Sequence, residues 1–276
     1  MSSTHAVTDG QVVSRDGTVI AYSRRGQGRP VVLVDGALCH RGFGPATELA
    51  EALAARFTVF TYDRRGRGAS GDNRAPDTPF TLDLEVDDLA ALLDAAGGSA
   101  MVYGISSGAA LALAAADRLP GITRLALYEA PFVVDDGWQP LTDDFRSRVS
   151  AAVEAGRPGD AVKLFMRYVG TPAPAVVAMR LMPVWKKLSA VGRTLPHDLA
   201  IVAQHPSGKP FGAAPWPGIS APALVMDGGR SPAWMRTGTR ALAEAVPGSA
   251  YRTLPGQTHM LKTEAIAPVL TEFFGG

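Results

Sequence analysis

The sequence predicts an α/β protein: a mostly parallel sheet flanked by helices, with a helical segment inserted near the middle. Three observations predict it. Short apolar, β-branched runs alternate with helical patterns along the first 131 residues and again after residue 219. Between them, residues 132–218 carry helical patches and several prolines but no clear strand. Val31-Val32-Leu33-Val34 is a solid apolar run, as a strand covered on both faces should be. We therefore divide the chain into a core of residues 1–131 and 219–276 and a helical insertion, or cap, of residues 132–218.

In order, residues 11–15 and 18–22 flank Asp16-Gly17, a hairpin signal with a primed turn. Val31–Val34 is a strand ending at Asp35-Gly36-Ala37-Leu38. A helix follows over 46–55 with Pro45 at its first turn, then a strand over 57–62. Leu82, Val86, Leu89 and Leu93 share one helical face, and Gly97-Gly98 stops that helix. Met101–Ile105 is a strand leading into a helix of small residues, and 122–128 is another strand, ending at Glu129-Ala130-Pro131. The insertion shows helical patches at 145–155, 160–168 and 176–188. A strand over 222–226, a helix over 232–246, a strand over 250–254 and a helix over 264–274 close the chain.

Composition narrows the function classes. With 276 residues and 46% hydrophobic content the chain can bury a sizeable core. Its 27 basic and 26 acidic side chains leave a net charge of +1, and no basic block occurs, so no nucleic-acid partner is expected. One cysteine, Cys39, allows neither an intramolecular disulfide nor a multi-cysteine metal site. The start, Met1-Ser2-Ser3-Thr4-His5, is polar, and no run reaches the ~18 apolar residues of a membrane span, so no membrane partner and a cytoplasmic location are expected. The expected partner is a small-molecule substrate, and the sequence is silent on oligomeric state.

The chemistry centres on Gly104-Ile105-Ser106-Ser107-Gly108. In a strand-to-helix turn, G-x-S-x-G lifts a serine hydroxyl to the tip of a sheet on a strained backbone, at a helix N-terminus that favours negative charge. A serine needs a base. Of five histidines, His259 lies in a Pro/Gly loop just after the last strand, at the sheet edge where Ser106 emerges, whereas His40, His197 and His205 read as surface or insertion histidines. With histidine as base, the rate falls on the acid side. A carboxylate should orient the imidazole. Glu129, at the end of the next strand, is the first choice, with Asp227, Asp135 and Asp136 as alternatives. Ser231-Pro232 reads as a helix start, with Ser231 as N-cap. The N–H groups of Ala37 and Ser107 are the expected oxyanion donors. Gly66-Arg67-Gly68-Ala69-Ser70-Gly71 matches G-x-G-x-x-G, but the following residues, including Asn73, Pro76, Asp77 and Pro79, read as a loop rather than a helix, so no dinucleotide is expected; nor is any other cofactor or a metal.

Together, Val34-Asp35-Gly36-Ala37, Tyr62-Asp63-Arg64-Arg65-Gly66-Arg67-Gly68-Ala69-Ser70, the turn at Ser106, the insertion and His259 resemble the α/β-hydrolase superfamily over nearly the whole chain. The resemblance implies the α/β-hydrolase fold and a structural role for the Asp63–Arg65 turn. Two departures stand out: members often carry His-Gly where this chain has Asp35-Gly36, and most carry an acidic residue where Ser231 stands. Haloalkane dehalogenases are similar in placing a glutamate where Glu129 lies, but they use an aspartate nucleophile. The expectation is a serine hydrolase acting on an ester, thioester or lactone of a small to medium apolar compound. A non-hydrolytic cyclisation, acyl transfer or decarboxylation, with Asp35 as a base, is the alternative, and a non-enzymatic binding protein is a third. Asp35, Leu38, Trp138 and Trp185 are the candidate substrate contacts, and Trp216, Met166, Met179 and Met182 are further apolar residues of the insertion.

Overall fold

A computed structural model describes residues 6–75 and 78–276. His5 and the polar start lie outside the described residues, as do Pro76 and Asp77. The sheet contains β1 (Thr8–Val13), β2 (Val19–Arg25), β3 (Arg29–Val34), β4 (Phe57–Tyr62), β5 (Ala100–Ile105), β6 (Ile122–Tyr128), β7 (Ala223–Gly228) and β8 (Ala250–Leu254). Their spatial order is β1-β2-β4-β3-β5-β6-β7-β8. β1 and β2 pair antiparallel, β2 pairs antiparallel with β4, and β3 to β8 are parallel.

Alternation along the strands builds two cores. Val32, Val34, Val102, Leu125, Leu127 and Val225 face one side with α2 (Leu82–Ala95), α3 (Ser107–Ala116) and α9 (Ala233–Ala245). Val31, Leu33, Met101, Tyr103, Tyr128 and Met226 face the other with α1 (Ala46–Leu53) and α10 (Thr263–Gly275). Between β6 and β7 lie α4 (Asp143–Glu154), α5 (Pro158–Tyr168), α6 (Ala173–Arg180), α7 (Val184–Gly192) and α8 (Leu195–Val202). No helix of the described residues is long and apolar enough to cross a membrane.

Four details depart from the sequence reading. The β1–β2 connection is a five-residue loop between the Val13–Val19 pair rather than a two-residue turn, because Asp16 takes the Thr18 N–H at 2.9 Å. The helix expected over 176–188 is two, α6 and α7. Pro183 supplies no N–H to continue the ladder and disfavours helical geometry at Met182. α8 was not anticipated. Ser231 does not cap α9, whose N-cap residue is Pro232, and the Ser231 hydroxyl is buried instead.

Candidate active site

Parallel strands bring β3, β5, β6, β7 and β8 to the same edge, and the ladder fixes who neighbours whom. Ile105 pairs with Tyr128 and Tyr128 with Met226. The Ser106 N–H donates to Tyr128 O at 2.9 Å, and the Glu129 N–H to Met226 O at 3.1 Å. Ser106 and Glu129 therefore sit one rung past neighbouring strands. Among the described residues only four non-glycines have positive φ: Leu38 (62°), Ser106 (57°), Glu129 (47°) and Ala214 (46°). Three of them stand at this edge. Backbone strain of this kind costs about 1–3 kcal/mol per residue and persists where the surroundings enforce it.

Crowding around Ser106 explains the glycines. A Cβ on Gly36 would come 2.9 Å from Ser106 Cβ. One on Gly104 would meet Gly108 O and Ala109 Cα, and one on Gly108 would run into the carbonyls of Val34 and Asp35. The turn closes only if all three positions lack side chains.

His259 follows β8, and its Nδ1 lies 2.8 Å from Glu129 Oε2. The other carboxylate oxygen, Oε1, accepts the Gly228 N–H at 2.7 Å. Glu129 is fully buried, while the His259 ring keeps a third of its surface open. With the carboxylate ionised, Nδ1 carries the proton and Nε2 is free to accept one. Among the described residues no hydrogen bond joins Ser106 Oγ to His259, whose one side-chain bond is to Glu129. The three alternative carboxylates are engaged elsewhere or exposed. Asp227 Oδ2 accepts from Tyr251 at 2.6 Å, Asp135 Oδ1 accepts from Gly137 N at 2.9 Å, and Asp136 is exposed.

The sequence profile of the alpha/beta hydrolase family matches residues 31–267. The chain belongs to the alpha/beta hydrolase family. An alpha/beta hydrolase from Sphaerobacter thermophilus DSM 20745 is similar at 48% identity and a TM-score of 0.86, over 96% of this chain and 100% of that one. A thermophilic esterase from Thermogutta terrifontis shares the fold at 21% identity and a TM-score of 0.73, over 97% and 98% of the two chains. So does the enol-lactonase from Burkholderia xenovorans LB400, at 21% identity and 0.73, over 97% and 100%.

The remaining sequence-derived residues of this alpha/beta hydrolase divide into groups. Leu38 and Ala37 pack with Trp185, Met166, Met179, Val149 and Leu199 in one apolar cluster between the β3 loop and the inserted helices. Trp138 belongs to another cluster, stacked on Trp234 at 5.4 Å beside Val133 and Met235. Trp216 packs with Phe132, Phe211 and His205, and Met182 is exposed. Asp35 lines a cavity of about 20 Å³ with Tyr103, Ile105, Leu49 and Ile266, and no inserted-helix residue lines it. Burial, and then neighbouring Asp63, push its carboxyl up to about 7 against the pull of Arg67 and Arg64. His197 is buried on α8, stacked on Phe80 at 4.2 Å, and burial pushes its imidazole down to about 4. In the G-x-G-x-x-G stretch Gly66 N bonds Gly71 O, and among the described residues the next helix begins at Leu82, so the motif does not open a helix.

Sequence reasoning missed the polar partners of the site. Arg64, Arg65 and Arg67 are all buried. Arg65 pairs with Asp16 and Asp88, both at 2.6 Å, as a structural hub. Arg64 and Arg67 turn instead toward the β3 loop and Asp198 of α8. One signal was available: three arginines within four residues of a strand-end loop must find buried carboxylates.

Proposed function

We propose that the chain is a serine hydrolase that cleaves an ester, thioester or lactone of a small to medium apolar compound through an acyl-enzyme. The observation that carries this reading is the 2.8 Å contact between His259 Nδ1 and Glu129 Oε2, with Glu129 one rung from Ser106 in the ladder. As the Ser106 oxygen attacks the carbonyl carbon, its proton passes to His259 Nε2, and Glu129 steadies the imidazolium. The Ala37 and Ser107 N–H groups take the oxyanion. His259 then protonates the leaving group, and a water deprotonated by the same nitrogen releases the acid. Residues 132–218 act as the cap, and Leu38 and Trp185, in the cluster beneath it, supply the apolar wall. Trp138 and Asp35 stand apart from that wall, and the placement of Asp35 gives no support to a non-hydrolytic base.

A fluorophosphonate probe should label the wild type and leave Ser106→Ala untouched. With p-nitrophenyl butyrate, Glu129→Gln should lower kcat by roughly 10⁴-fold, as losing the orienting carboxylate does in comparable sites. A folded wild type that takes no label and turns over no ester or thioester would end this reading.

A further inference from the structure

The strongest unassigned feature is a buried charge cluster joining α8 to the Ser106 turn. Asp198 is almost completely buried. Its Oδ1 accepts the Ser107 hydroxyl at 2.7 Å and Arg64 Nη1 at 2.7 Å, and its Oδ2 accepts Arg67 Nη2 at 2.7 Å. Arg67 Nη1 in turn donates to Gly36 O at 2.8 Å and to Cys39 O at 3.2 Å, while its Nε donates to Thr194 Oγ1 at 3.0 Å. Arg64 also reaches Asp35 O at 3.2 Å and Ser107 Oγ at 3.3 Å, and Glu85 holds its other nitrogens at 2.7 and 3.0 Å. Burial alone would raise the Asp198 carboxyl, but Arg67 and Arg64 hold it below the usual carboxylate range.

The geometry bears on where two backbone N–H groups point. A peptide unit is planar and trans, so its C=O and the N–H that follows face opposite ways. Arg67 grips the Gly36 carbonyl, and this fixes the direction of the Ala37 N–H. On the other side, Ser107 is the first residue of α3, and its N–H is one of those a helix leaves without an internal partner. Its hydroxyl is tied to the same carboxylate. One side chain from the inserted segment thus reaches both sides of the proposed oxyanion hole, the Ser107 hydroxyl directly and the Gly36 carbonyl through Arg67.

We propose that Asp198, acting through Arg67 and the Ser107 hydroxyl, is a positioning residue that aims both oxyanion donors and makes catalytic competence depend on the seating of α8. This rests on the serine-hydrolase reading. A pair serving the scaffold alone would affect folding and nothing else. A positioning pair also affects the transition state more than the ground state.

The test compares wild type, Asp198→Asn and the charge-balanced double variant Arg67→Met/Asp198→Asn, each checked for a native melting transition. With p-nitrophenyl butyrate, kcat should fall about 10- to 100-fold in both variants, with KM within about threefold, a partial loss beside the ~10²–10³ of deleting a donor outright. Affinity for an alkyl trifluoromethyl ketone, which forms a hemiketal oxyanion on Ser106, should weaken in step. Folded variants whose kcat and ketone affinity stay within twofold of wild type overturn the proposal. Failure of both variants to fold assigns the cluster to the scaffold and overturns it too. If the wild type itself proves inert to esters and fluorophosphonate, the hydrolase reading falls separately. The backbone amide resonances of Ala37 and Ser107 then decide the positioning: both must shift in Asp198→Asn, and unmoved resonances reject it.

Discussion

At the scale of single residues, Asp35 carries the clearest pH signature. Its carboxyl titrates at 3.8 in an unfolded chain and is pushed up to about 7 in the fold, mainly by burial. Between those values the folded state holds a proton that the unfolded state has released. Stability from this group is therefore fully present below about pH 4 and is lost as pH rises through about 7, by up to roughly 4 kcal/mol. Replacing Asp35 with asparagine removes the penalty. The stability difference between Asp35→Asn and wild type, from urea unfolding, should grow from pH 4 to 7 and level off above. A difference that stays flat across that range would show that Asp35 ionises as freely in the fold as in water. The residues differ in how far the sequence revealed them. Ser106 and His259 were legible because motif and loop position point the same way. Glu129 was legible as a carboxylate at a strand end, although its positive φ was not. Asp198 was invisible, because its role depends on a chain crossing of 91 residues to Ser107.

At the scale of elements, the β5–α3 turn tolerates almost no added volume. Gly108→Ala would drive a methyl into two β3-loop carbonyls that cannot give way without moving the loop itself. The expected result is a loss of stability of about 2 kcal/mol or more, read from thermal or urea unfolding. Gly212→Ala serves as a comparison, since nothing lies within 4 Å of its added carbon and its φ is outside the left-handed region. If the two variants melted alike, close packing would not be the reason for Gly108. The core strands and helices were legible because apolar runs and periodic faces mark them. α8 was not, because two of its buried positions, His197 and Asp198, are polar and break the pattern. The long helix expected in the insertion failed at Pro183, where the chemistry of one ring outweighed a continuous apolar pattern.

For the whole molecule, the inserted segment is not uniformly attached. α8 buries Leu195, His197, Asp198, Leu199 and Ile201 and packs on α3, whereas α6 buries only Val176 and leaves Val177 exposed, with Leu181 and Met182 exposed just beyond it. Hydrogen exchange followed by mass spectrometry should therefore find α8 protected like the central strands, and α6 exchanging about a hundredfold faster or more through local opening. Equal protection of the two helices would show that the insertion opens as one unit. The parallel sheet with its two apolar faces follows directly from the run and spacing of apolar residues. What the pattern does not encode is how a buried ionic network fastens the insertion to that sheet, since charges are placed by partners distant in sequence. The origin of Glu129 on β6 has one more consequence. Among the described residues, the end of β7 gives the Glu129 carboxylate a main-chain amide, that of Gly228, and no side chain from Gly229 to Ser231 reaches it. The side chains of Arg230 and Ser231 therefore carry no part of the hold on Glu129, and Ser231→Ala should leave its contact with His259 in place.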